Sequence, residues 1–161
     1  MIHYQSPKFY KKDRYTIFLG GSIDMGNCEN WQQKLADDLK DEDVILLNPR
    51  SDIFDSTQEQ SVKNDYFYNR VNWELDGLLH SDLIVMYLLP NTYSPISLME
   101  IGLYTDINKF PNDKMIICCP DGFWRKGNVE IVCKRYGIKL YDDYFSFFEE
   151  IKKRIKLNHN I

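Results

Sequence analysis

At 161 residues the chain suits one domain, whose core would bury around two thirds of the unfolded surface. Its formal charge of −4 comes from 24 acids and 20 bases interleaved along the sequence, so no basic stripe marks a nucleic acid polymer or an anionic membrane as a partner. No apolar run nears the ~20 residues of a bilayer span, and small molecules are the expected ligands.

Residues 1–14 are polar and charged, read as an arm without a motif, and their Lys8, Lys11, Lys12 and Arg14 leave no apolar core for a signal peptide. Tyr15–Leu19 is a first strand ended by Gly20-Gly21, followed by a helix over about 30–40 with Trp31, Leu35 and Leu39 on its apolar side. Val44–Leu47 is a second strand closed by Asn48-Pro49-Arg50. Residues 51–60 form a polar loop, and Phe67, Val71, Leu75, Leu78 and Leu79 give a long helix over about 62–80 its inward face. Asp82–Tyr87 is a buried strand leading to a helix around Glu100, and Lys114–Cys119 is a fourth strand. A helix over 128–136, a short strand over 138–141 and an amphipathic helix over 144–155, with Phe147, Phe148, Ile151 and Ile155 inward, complete the chain.

Strand and helix alternate throughout, which predicts a single α/β domain over 1–161: a three-layer sandwich with a mostly parallel five-stranded sheet and right-handed crossovers, flavodoxin- or Rossmann-like in order. Cys28, Cys118, Cys119 and Cys133 show no C-x-x-C pair and no metal-ligand spacing with His3, His80 or His159, so a metal site is not expected. Cys118 and Cys119 fall on opposite faces of a strand as small buried hydrophobes, and reduced thiols fit a cytoplasmic protein.

In such a sheet ligands bind beyond the carboxyl ends of the strands, which directs attention to four loops. Ser94-Pro95-Ile96-Ser97-Leu98-Met99-Glu100 places a carboxylate near the start of a helix directly after an apolar strand. Glu100 is therefore either a group facing the crevice or the acidic half of a capping box with Ser97. Gly20-Gly21-Ser22-Ile23-Asp24-Met25-Gly26 has neither P-loop nor dinucleotide spacing, and its free amides suit an anion or a sugar oxygen as well as a plain turn. Asn48-Pro49-Arg50 offers either a binding guanidinium or a turn with a structural ion pair. Glu74 lies four residues after Arg70, the spacing of a surface helix pair. Residues 120–128, Pro-Asp-Gly-Phe-Trp-Arg-Lys-Gly-Asn, mix aromatics, cations and glycines in the manner of a ligand lid.

Together these segments resemble the nucleoside 2-deoxyribosyltransferase family, in order, from about residue 15 to 141. Phe18–Ile23 is similar to the family's glycine loop, Asn72–Gly77 to its acidic helix, and Met99-Glu100-Ile101-Gly102 to its catalytic Glu-x-Gly signature. Asn48-Pro49-Arg50 and Gly122–Asn128 are similar to hallmarks of one branch. The resemblance implies Glu100 as the nucleophile at C1′ of a 2′-deoxyribonucleoside and Glu74 as the group that contacts the base. Substrate binding would fall to Gly20, Gly21, Ser22, Asp24, Asn48, Arg50, Ser94 and Asn128. It further implies base exchange with a free nucleobase, no cofactor, and a homo-oligomer in which Asn128 reaches the 5′-hydroxyl in a neighbouring subunit's site.

Two positions depart from the pattern. Phe18 stands where many relatives carry a tyrosine that supports the nucleophile, leaving Tyr87 or Tyr104 to supply such support. Ser94 stands where the transferases have an aspartate, and a serine there also occurs in the related deoxynucleoside 5′-monophosphate N-glycosidases, which opens a hydrolase reading. Asp24, where those hydrolases carry an arginine, would repel phosphate. A nucleotide sensor without turnover is the alternative from another class.

Overall fold

The structure is a computed structural model that describes residues 1–51, 59–105 and 113–159. Most of the polar loop expected over 51–60 lies outside them.

The expected first strand is the centre of the sheet. As β2, Thr16–Gly21, it is buried along its whole length between β3, Ile45–Asn48, and β4, Leu83–Tyr87. β5, Met115–Cys118, and β6, Lys139–Tyr141, extend the sheet beyond β4. These five strands keep the flavodoxin order that the alternation predicted. The sheet nevertheless has six strands, because Ile2–Gln5, expected as an arm, forms β1 and pairs with the outer edge of β3, Ile2 opposite Ile45 and Gln5 opposite Asn48. Four half-buried residues are too few for an alternating pattern to stand out, and the open edge of β3 supplies the backbone partners that make them a strand. Every pairing is parallel, and β2 to β5 read as apolar runs because helices cover both faces.

On one face α1, Trp31–Asp38, and α5, Tyr144–His159, bury Trp31, Leu35, Phe147 and Ile151 against Ile17, Leu19, Val85 and Tyr87. On the other, α2 (Asp65–His80), α3 (Pro95–Tyr104) and α4 (Lys126–Tyr136) cover Phe18, Leu47, Ile84 and Met86. Cys118 and Cys119 do divide between the two cores. Leu79, expected inward on α2, is exposed; the helix instead approaches the sheet at Gly77 and Leu78, both buried. A Cβ at Gly77 would stand 2.8 Å from Phe18 Cδ2, so this glycine sets how closely α2 lies on β2.

Candidate active site

Helix α3 begins at Ser94, whose backbone is left-handed at φ +45°, with Pro95 in its first turn. This start settles the capping-box alternative. Ser97 lies inside the helix and donates its hydroxyl to Gly21 O at 2.9 Å, while Glu100 sits a turn further on, only 6% exposed. Positions 97, 100 and 104 share one side of the helix at 3.6 residues per turn. Tyr104 marks where that side points, since its hydroxyl donates to Leu75 O of α2 at 3.1 Å. Glu100 thus faces α2 and Glu74.

Burial raises the Glu100 carboxyl to about 8, and the like charge of Glu74 pushes in the same direction. Among the described residues no hydrogen-bond donor reaches it. Glu74 is raised by burial too, against the opposing pull of Arg70, whose Nε donates to Oε1 at 3.2 Å. The i,i+4 pair read from the sequence is present, but at 22% and 16% side-chain exposure it is no solvated surface pair. A second Arg70 nitrogen donates to Pro49 O at 3.2 Å, tying this carboxylate to the end of β3. Two carboxyl groups with raised proton affinity, facing each other from adjacent helices, are equipped for nucleophilic and proton-transfer chemistry.

The glycine segment runs straight rather than turning. Gly20 and Gly21 complete β2, and Gly21, at φ +126°, lies so close to Tyr87 O that a Cβ would collide with the β4 backbone. Ser22 follows, fully buried, its Oγ 2.7 Å from both Thr92 Oγ1 and Ser94 Oγ and accepting from Leu89 N at 2.9 Å. The loops after β2 and β4 are therefore stitched together at the strands where the sheet order reverses. All four described non-glycine residues with positive φ, Asp24, Met25, Asn91 and Ser94, belong to these two loops. Such backbone strain concentrates at functional sites. Between the loops lies a cavity of about 290 Å³ lined by Asp24, Asn27, Glu29, Asn91 and Thr92 among others.

The remaining residues do different work. Arg50 is buried and directs both terminal nitrogens inward, to the carbonyls of Gly26, Cys28 and Glu29 at 3.1 to 3.2 Å, clamping the loop that carries Asp24. Asn48 accepts from Arg50 N at 2.8 Å and lies 3.0 Å from His3 Nε2, which links β1 to the same turn. Tyr87 belongs to the core on the far face with Trp31 and Phe147, so it gives Glu100 no support. The expected lid over 120–128 is anchored: Lys126 binds Asp121 and Asp142 at 2.7 and 2.6 Å, and Trp124 Nε1 donates to Tyr93 O at 2.9 Å. Asn128 is exposed in the first turns of α4. It borders a separate groove of about 350 Å³ with Leu98, Ile101, Gly102 and Trp124, on the side of α3 away from Glu100.

Thr92 escaped the sequence reading, and Ser97 entered it only as the serine of a capping box. The hydroxyl-rich run Thr92-Tyr93-Ser94 was the available signal, but only the fold shows that it meets Ser22. Among the described residues no cluster of three or more histidine, cysteine or acidic side chains could hold a metal ion, and no helix is long and apolar enough to cross a membrane.

The sequence model of the family described as "Nucleoside 2-deoxyribosyltransferase like" matches residues 14–123. A solved structure of a conserved protein from Enterococcus faecalis V583 superposes with a TM-score of 0.60 at 16% identity, covering 86% of this chain and 98% of that one, a likeness of fold. No curated protein matches the chain.

Proposed function

The chain belongs to the nucleoside 2-deoxyribosyltransferase-like family, which supports chemistry at a nucleoside's glycosidic bond, and from that premise we propose that it exchanges nucleobases on 2′-deoxyribonucleosides. The observation that carries this reading is Glu100: a buried carboxyl, free of described donors, on the family's Glu-x-Gly segment and opposite a second carboxyl of raised proton affinity.

In the proposed reaction an ionised Glu100 oxygen bonds to C1′ as the N-glycosidic bond breaks. The bond's electron pair leaves with the base nitrogen, which takes up a proton managed by Glu74. Positive charge develops on the sugar at this point, and a carboxylate beneath the ring stabilises it most where water is excluded. A nitrogen of the incoming base then attacks C1′ as its proton passes to Glu74, the ester bond breaks, and Glu100 regains its carboxylate. Two successive inversions at C1′, from opposite faces of the sugar, give net retention of configuration and ping-pong kinetics. No step calls for a metal or organic cofactor.

Ser94 and Asp24 are assigned to the 5′ end of the substrate, beside the strained loops at the sheet's carboxyl edge, with Ser22, Gly20 and Gly21 as its floor. Arg50 and Asn48 act by holding that loop in place. Asn128 is assigned to a neighbouring subunit's site: in its own subunit α3 stands between it and Glu100, and Ile96, Met99 and Leu103 expose an apolar stripe on the same helix that a second copy can cover.

The test is chromatographic. Deoxyinosine with adenine should yield deoxyadenosine, and deoxyinosine alone should yield little hypoxanthine. Hypoxanthine in equal amounts with and without adenine, and no deoxyadenosine, would replace transfer by hydrolysis. Absence of any new nucleoside or free base across purines and pyrimidines would leave only a binding module.

A further inference from the structure

The three hydroxyls of Ser22, Thr92 and Ser94 form a closed set whose proton directions can be worked out. Thr92 Oγ1 donates to Leu89 O at 2.9 Å, which commits its only proton to a carbonyl. Its 2.7 Å contact with Ser22 Oγ must then be donated by Ser22. Ser22 has no proton left for Ser94, so the 2.7 Å contact between these two is donated by Ser94. Thr92 Oγ1, 3.2 Å from Ser94 Oγ and with its own proton spent, is a second acceptor on the same inward side. Ser22 Oγ also accepts from Leu89 N at 2.9 Å, which fills its remaining acceptor position. The chain of donation therefore runs from Ser94 through Ser22 and Thr92 to the Leu89 carbonyl. Ser94 turns its proton inward and offers only lone pairs outward.

We infer that Thr92, through this ordered relay, fixes Ser94 as a hydrogen-bond acceptor and so selects a ligand that presents a hydroxyl over one that presents a phosphate. A hydroxyl can donate to Ser94. A phosphate dianion has no proton for it and would need the serine's own, which is already committed. The surroundings act the same way: Asp24 and Glu29 line the adjoining cavity beside Thr92, and the nearby Arg50 spends its terminal nitrogens on backbone carbonyls. Thr92 is a positioning residue here, acting on the ligand through Ser94. The inference rests on the reading that a 2′-deoxynucleoside places its 5′ end beside Ser94.

The experiment measures kcat/KM for adenine release with hypoxanthine as the acceptor base, and calorimetric affinity, with 2′-deoxyadenosine and its 5′-monophosphate. Wild type should prefer the nucleoside. Thr92→Val removes the relay's terminal donor and lets the Ser22 proton turn to Ser94, whose own proton is released outward. The monophosphate-to-nucleoside ratio should rise about tenfold, the scale of one hydrogen bond to a charged group. Thr92→Ser, which retains the hydroxyl, should return the wild-type ratio. Thr92→Ala removes the same hydroxyl with a smaller side chain and should shift the ratio in the same direction, which covers the case of a Thr92→Val chain that does not fold. A ratio unmoved in the folded variants, with the nucleoside still cleaved by wild type, overturns this inference alone. Neither compound bound nor cleaved by wild type overturns the functional reading and this inference with it.

Discussion

Replacing Glu100 by Gln separates what this side chain does for chemistry from what it does to stability. Burial and Glu74 raise its carboxyl to about 8, whereas an unfolded chain holds a glutamate near 4.5. Between these values the folded state binds more protons than the unfolded state, so this group makes the protein less stable as pH rises. Below about 4.5 both states hold the proton and the burden vanishes; above about 8 it levels off. Linkage puts the penalty at under about 1 kcal/mol at pH 5 and about 3 kcal/mol at pH 7. A glutamine of nearly the same shape stays neutral throughout, so Glu100→Gln should melt close to wild type at pH 5 and roughly 6–12 °C above it at pH 7. The same variant should lose at least ~10³-fold in turnover, as expected for removal of the nucleophile. Melting curves across pH 5 to 8, alongside the base-exchange assay, test both halves. Parallel pH dependence in the two proteins would refute the desolvated carboxyl, and a variant destabilised at every pH would make Glu100 a structural residue.

Removing the like charge with Glu74→Gln should move the acidic limb of the kcat/KM profile to lower pH, because Glu100 then ionises more easily, and lower turnover as well; a limb that stays in place would uncouple the two carboxyls. Gly21→Ala should destabilise the fold by ~3 kcal/mol or more in urea unfolding, since the new Cβ meets the β4 backbone at a φ of +126°; a loss under ~1 kcal/mol would mean that β2 and β4 can part without cost. Arg50→Ala should reduce stability and weaken nucleoside binding together through release of the loop carrying Asp24, and an intact melting temperature with impaired binding would instead place the guanidinium on the ligand. Mixing inactive Glu100→Gln subunits with inactive Asn128→Asp subunits should restore part of the activity, because some pockets then pair an intact Glu100 with an intact Asn128; verified mixed oligomers without activity would leave Asn128 as a residue of its own groove.

The sheet was legible because each central strand is buried on both faces and its sequence shows it: Leu83–Tyr87 and Met115–Cys118 are apolar runs that fit no solvated element. β1 was not legible, since Ile-His-Tyr-Gln becomes a strand only through the edge of β3. In the site, local spacing brought out Glu100 and the family resemblance brought out Glu74, but neither gave their relation. That relation depends on α2 and α3 lying side by side, with Gly77 against Phe18 and Tyr104 bonded to Leu75. Arg50 shows the converse. Asn-Pro-Arg after a strand reads equally as a binding or a structural guanidinium, and its hydrogen bonds to the backbone of residues 26–29 are contacts between segments over twenty residues apart, which no local pattern encodes.

The central claim is a covalent sugar on Glu100, and the most direct measurement is the intact mass of the protein rapidly acid-quenched during turnover of a 2′-deoxynucleoside, followed by peptide mapping. A slow substrate such as a 2′-fluoro-arabino nucleoside, whose fluorine disfavours positive charge on the sugar, lengthens the life of the adduct. The expected result is one added pentosyl group, confined to the peptide that bears Glu100, absent in Glu100→Gln, and discharged when free adenine is added. Release of base from the nucleoside with the added mass on another residue, or with no protein-bound sugar at any time under either substrate, would contradict the account.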